Sequence, residues 1–87
     1  MWVIRIEGRA AKDLAALSCT DQARILDYLE TRVAPRHNPR ELGEALTGPL
    51  AGLWKYRIGP FRVISRIQDQ TVQIWVVRVG NRREVYR

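Results

Sequence analysis

Residues 53–68 read LWKYRIGPFRVISRIQ, and their alternation decides the fold. Two runs of period two meet at Gly59-Pro60, which predicts a β-hairpin. In the first run Trp54, Tyr56 and Ile58 share one face, and Lys55 and Arg57 share the other. In the second, Phe61, Val63, Ser65 and Ile67 lie together, opposite Arg62, Ile64 and Arg66. With the aromatic side turned inward, Lys55, Arg57, Arg62 and Arg66 stand on one open face. Like charges this close repel unless an anion lies among them. A solvated face kept soluble by its charge is the plain alternative.

Outward from the hairpin, the pattern predicts an α+β domain. Trp2 to Ile6 alternates as a short strand broken by Gly8. Arg9 to about Leu17 carries Ala10, Ala11, Leu14 and Leu17 on one helical stripe. Asp21 to Val33 reads as a second helix, with Thr20 as N-cap and Ile25, Leu26, Leu29 and Val33 inward. Together they predict an antiparallel helical hairpin. Pro35 ends the second helix, and Arg36 to Arg40 forms a basic loop. Glu41 to Leu46 is expected to make one helical turn before Gly48-Pro49. Thr71 to Val79 forms the last strand, with Val72, Ile74 and Val76 on one side and Gln73, Trp75, Val77 and Val79 on the other. Apolar residues on both sides place it centrally in the sheet. Short connections make the last three strands an antiparallel meander, with the helices on one sheet face.

The whole-chain numbers fit this outline. A chain of 87 residues makes one domain, 1–87, burying about 60–65% of its unfolded surface. Residues 1–44 balance seven Lys/Arg against seven Asp/Glu, while residues 45–87 hold eight against two, the entire excess of +6. A field this one-sided points to a polyanionic partner. Thirteen of the fifteen cations are arginine, whose fork matches phosphate with two parallel hydrogen bonds. Cys19 is the single cysteine, so no internal disulfide forms, and a small buried side chain is expected there. His37 has no ligand partner at metal-binding spacing. MWVIRIEGR lacks the apolar run of a signal peptide, and no stretch approaches the ~20 apolar residues of a membrane span. The expected location is the cytoplasm.

The familiar catalytic signatures are absent: no Ser-His-Asp set, no phosphate-binding glycine loop, no metal-ligand cluster. The second half supplies Lys, Arg and Tyr instead, an inventory suited to phosphate. Cleaving RNA needs a base for the ribose 2′-hydroxyl, positive charge on the crowded phosphorane and a donor to the leaving 5′-oxygen. Arginine is a poor base. Lys55, beside Arg57 and Arg62, is the better candidate.

Leu46-x-Gly48, then Trp54-Lys55-x-Arg57-x-Gly59-x-Phe61-Arg62-Val63, then Val79-Gly80-x-Arg82-x-x-Val85-Tyr86 resemble the RelE/ParE superfamily of bacterial toxins. The resemblance covers nearly the whole chain. It implies the RelE-like fold and a type II toxin that cleaves mRNA in the ribosomal A site without metal or cofactor. ParE-like members poison DNA gyrase instead, and an inactive relative that only binds its antitoxin is a further alternative. The hairpin pattern occurs in both branches, whereas the tail, Arg82 with Val85-Tyr86, is similar to the RelE ending. Carried over by position, Lys55 matches a lysine that helps activate the 2′-hydroxyl. Arg57 falls where relatives carry a second lysine or an arginine. Arg62 matches the phosphate-stabilising arginine, Arg82 the arginine near the leaving oxygen, and Tyr86 the residue that stacks on the nucleotide. Asn81 stands where many relatives have histidine; it donates a hydrogen bond but shuttles no proton. The implied partners are the ribosome, mRNA and an acidic RelB-like antitoxin. The toxin–antitoxin complex is expected to be higher-order and to bind its operator through the antitoxin.

Overall fold

The structure, a computed structural model, describes residues 1–81. Strand β1 spans Val3–Ile6, helix α1 Gly8–Ala15 and helix α2 Cys19–Tyr28. A wider π-type turn, Leu29–Val33, extends α2 to the predicted end, with Ala34 N–H reaching back to the Leu29 carbonyl at 2.8 Å. The cap is Ser18 rather than Thr20: its Oγ accepts from Asp21 N–H at 3.1 Å. The two-residue strand β2, Glu44–Ala45, stands where a helical turn was expected; that turn comes earlier, as a 3₁₀ segment at Pro39–Leu42. Strands β3 (Trp54–Ile58), β4 (Phe61–Gln68) and β5 (Gln73–Asn81) complete one five-stranded sheet in the order β1-β5-β4-β3-β2.

The hairpin forms as its alternation requires. Ile58 pairs with Phe61, Tyr56 with Val63 and Trp54 with Ser65. Gly59 holds φ at 59°, a conformation that costs an L side chain strain and that suits the first central position of a tight hairpin turn. β5 is central, as expected, running antiparallel to β4 and parallel to β1.

The inner faces of β3, β4 and β5 bury Tyr56, Ile58, Phe61, Val63, Ile74, Val76 and Val79 against Ala10 and Leu14 of α1 and Ile25, Leu29 and Val33 of the second helix. Both helices therefore cover one side of the sheet. Val79 joins this core against expectation. Ile64 pairs with Arg78 but Ser65 with Val76, so Val77 is an extra residue that shifts the phase of β5. Ala11 and Leu26 turn outward, and Cys19, in the first turn of α2, is exposed rather than buried. Val72 is not in the strand; it is a turn residue with φ 54°.

Beyond the end of β1, one edge of β5 meets α1. There the Asp13 carboxylate accepts from Val79 N–H at 2.9 Å and Arg78 Nε at 3.0 Å. No helix among the described residues is long and apolar enough to cross a membrane.

Candidate functional site

The outer face of the hairpin carries the predicted cations, with their charges unevenly compensated. Lys55 lies on β3, half-buried, its Nζ 3.3 Å from Glu44 Oε2 on β2. The register makes that pair, since Glu44 sits directly opposite Lys55. Arg66 pairs with Glu7 at 2.9 Å, reaching toward the start of α1. The expected cluster of four uncompensated charges is therefore not what forms. Two of the four cations hold carboxylates from elements whose role sequence spacing does not reveal.

Arg57 and Arg62 differ. They are direct cross-strand partners. The closing pair Ile58–Phe61 sits at the turn, so in the antiparallel alternation Arg57–Arg62 is the non-hydrogen-bonded kind, with side chains closest. Arg57 is exposed and Arg62 half-buried. Arg62 Nη1 donates to the Phe61 carbonyl at 3.1 Å and the Gly59 carbonyl at 3.4 Å, folding the guanidinium toward the turn. Neither arginine meets a carboxylate within ion-pair distance among the described residues. Arg62 forms no ion pair with Asp69, the carboxylate that follows it on the same hairpin. Asp69 is taken by Arg40 in a two-pronged contact at 2.7 and 3.0 Å, and Arg40 also lies 5.7 Å from the Trp54 ring centre. That contact holds the Asp69 carboxyl below its ordinary range and the guanidinium above its own.

Beneath this face Tyr56 is buried, and its hydroxyl donates to the Pro39 carbonyl at 2.9 Å. Burial pushes its ionisation up to about 12, with Arg40 pulling down and Tyr28 adding to the rise. Tyr56 is thus a neutral strut under the strand that displays Lys55 and Arg57.

β5 brings Gly80 opposite Arg62 and Asn81 opposite Phe61. Arg82 and Tyr86, the two remaining predicted site residues, lie outside the described residues. The structure so brings together Lys55, Arg57 and Arg62 from the predicted set. No group of three or more His, Cys, Asp or Glu suited to a metal ion forms among the described residues.

A second basic cluster escaped the sequence reading. Arg24 and Arg32 on the second helix, with Asp27, Tyr28 and Thr31, line a cleft of about 350 Å³ closed on its other side by Arg57, Ile58 and Gly59. Arg24, Tyr28 and Arg32 follow at intervals of four, which sets them on one helix face. That spacing was the available signal.

Residues 4–86 match the family described as the ParE toxin of the type II toxin–antitoxin system parDE. Toxin RelG of Mycobacterium tuberculosis is 27% identical over 86 residues, covering 99% of this chain and 97% of that one. Toxin RelE of the same organism is 29% identical over 84 residues, covering 97% and 84%. Among solved structures, a chain of the RelBE2 toxin–antitoxin complex from Mycobacterium tuberculosis superposes with a TM-score of 0.84 at 26% identity, covering 93% of this chain and 98% of that one. A chain of the archaeal RelE–RelB complex from Pyrococcus horikoshii gives 0.65 at 25%, covering 95% and 97%.

Proposed function

Because this chain belongs to the ParE toxin family of type II toxin–antitoxin systems, we propose that it is a toxin domain spanning residues 1–87 that arrests growth as an endoribonuclease, cutting mRNA in the ribosomal A site. The observation that carries this reading is the cross-strand pair Arg57–Arg62, two guanidinium groups without carboxylate partners among the described residues, on the same face as Lys55. The names of the relatives, RelG and RelE, favour the same branch.

The chemistry follows from that placement. The ribose 2′-oxygen bonds to the adjacent phosphorus, its proton passing to Lys55 Nζ, which has first parted from Glu44 and given up a proton to solvent. The P–O5′ bond then breaks, leaving a 2′,3′-cyclic phosphate and a 5′-oxygen that takes a proton from water to become the 5′-hydroxyl. Arg57 and Arg62 hold the charge that builds on the phosphorane oxygens, where loss of one such donor typically costs about 10²–10³ in rate. Arg82 supplies the hydrogen bond to the departing oxygen, and Tyr86 stacks on the base. A set this poor in ordinary acid–base groups relies on the ribosome to orient the substrate. Lys55 with Glu44 at 3.3 Å keeps a counter-ion that substrate phosphate would have to displace.

The inhibitory partner is an acidic RelB-like antitoxin, a reading supported by similarity to structures of RelE–RelB complexes. In that complex, higher-order and operator-bound through the antitoxin, the toxin is silent. Its site of action is the cytoplasm, where the ribosomes are. The family's own description, a ParE toxin, favours one rival reading, a ParE-like inhibitor of DNA gyrase in place of a nuclease.

Primer extension on an mRNA in a purified translation system, with wild type, Arg62→Ala and Arg82→Ala in parallel, tests the nuclease reading. New 3′ ends at A-site codons with wild type and not with the variants are expected. Intact message with wild type, together with inhibited gyrase supercoiling, overturns it.

A further inference from the structure

We propose that the cleft between the second helix and the tip of the hairpin is a second RNA-backbone phosphate site, engaging a phosphate beyond the one at Arg57–Arg62. This rests on the reading of RNA as the partner.

The charge distribution comes first. Arg36, Arg40, Lys55, Arg66 and Arg78 each sit in an ion pair. Arg24, Arg32 and Arg57 have no carboxylate within that distance among the described residues, and all three line this one cleft. Three guanidinium groups thus line a cleft whose one lining carboxylate, Asp27, is outside ion-pair distance of each of them, and an anion bound there would lower the repulsion among them.

The Arg24 guanidinium is also placed. A Cβ built on Gly59 would fall 2.6 Å from its Nη2, 2.7 Å from its Cζ and 2.9 Å from its Nη1. Near-equal distances to three atoms set the guanidinium plane across the Gly59 α-carbon. Glycine, needed there for its φ of 59°, also leaves the room in which Arg24 lies. The hairpin tip and the helix are built against each other with a cation at the contact.

Size and shape favour a sugar–phosphate unit. About 350 Å³ lies at the small end of ligand sites, ~300–1,000 Å³. An acidic peptide adding as a strand fits less well. β2 already covers Trp54 and Lys55, leaving a free edge of three residues, Tyr56 to Ile58, about 10 Å long. Arg57 belongs to both clusters, being opposite Arg62 and on the cleft wall. A backbone engaged at the outer face can therefore continue round the edge of β3 to Arg24 and Arg32.

The test is binding of a fluorescent ten-nucleotide oligouridylate to the purified chain across a salt series. Arg24→Gln with Arg32→Gln is compared with Arg9→Gln with Lys12→Gln, the same charge change on exposed α1 positions. The cleft double variant is expected to lose about tenfold in affinity and to flatten the log–log salt slope by about 0.7, one phosphate contact. The α1 pair is expected to leave the slope unchanged, and Asp27→Asn to tighten binding by removing the carboxylate in the cleft. Equal losses in both double variants would mean net charge alone acts and would overturn the site. So would unchanged RNA binding coupled to weaker antitoxin binding, which assigns the cleft to a protein. Thermal melts of the variants, whose altered residues are exposed, check folding. The two readings separate in the translation assay: a wild type that shows the slope change yet cuts no message keeps the cleft and removes the nuclease.

Discussion

Replacing Tyr56 with phenylalanine tests how the hairpin is seated. Tyr56 is fully buried, and its hydroxyl bonds the Pro39 carbonyl at 2.9 Å, tying the 3₁₀ turn at Pro39–Leu42 to the strand bearing Lys55 and Arg57. At neutral pH the phenylalanine leaves that carbonyl without its donor, a cost of about 1–3 kcal/mol. Alkaline conditions reverse the comparison. The folded phenol ionises at about 12 rather than 10.0, chiefly because it is buried. A group whose folded value is raised contributes stability that is complete below its unfolded value and drains as pH climbs to the folded one. Two units correspond to about 2.7 kcal/mol, lost by wild type between roughly pH 10 and 12 and retained by the variant. Urea unfolding of both proteins from pH 7 to 12 reads the difference directly. The wild-type advantage should shrink across the top two units until the curves meet or cross. A difference that stays constant from pH 9 to 12 would refute the assignment of a buried, neutral phenol. The variant should still cut mRNA at pH 7, since Tyr56 faces away from the outer surface of the hairpin.

Three further outcomes are expected. Ser65 is buried with no hydrogen-bond partner for its Oγ among the described residues; Ser65→Ala should raise stability by about 1 kcal/mol in denaturant titration, because an unmet hydroxyl is removed. Val72 holds φ at 54° and is exposed, so Val72→Asn should add about 1 kcal/mol by relieving β-branched strain, seen as a raised Tm. Asp13→Ala strips the acceptor from Val79 N–H and Arg78 and should cost about 1–3 kcal/mol, with earlier amide exchange at Val79 than in wild type.

The hairpin and the two helices were legible because each carries a single clean period, and the central strand because both its faces are apolar. Where both faces of a segment are apolar, period fails. Val76, Val77 and Val79 read equally well in either phase, so the extra residue at Val77 left no trace. β2 is two residues, Glu44 and Ala45, defined by its pairing with Lys55 and Trp54 rather than by any propensity of its own. Ion pairs were the least accessible. Arg40–Asp69, Arg66–Glu7 and Arg78–Asp13 join residues 29, 59 and 65 positions apart. No local rule links such partners, and Asp69 passes over the nearer Arg62 for Arg40. The candidate site was half legible: alternation put Lys55, Arg57 and Arg62 on one face. The helix-borne Arg24 and Arg32 are exposed helix positions, and only the hairpin tip laid against them makes a cleft.

The parallel pairing of β1 with β5 has a consequence for the birth of the molecule. β1 and β5, the first and last strands among the described residues, are neighbours, and β5 also separates β1 from the rest of the sheet. A nascent chain whose β5 is still inside the ribosome holds β1 with no strand to dock on and a hairpin open along the flank of β4. Contacts this distant in sequence close late. The complete sheet, and with it the assembled basic face, therefore exists only after residues 73–81 have cleared the ribosome.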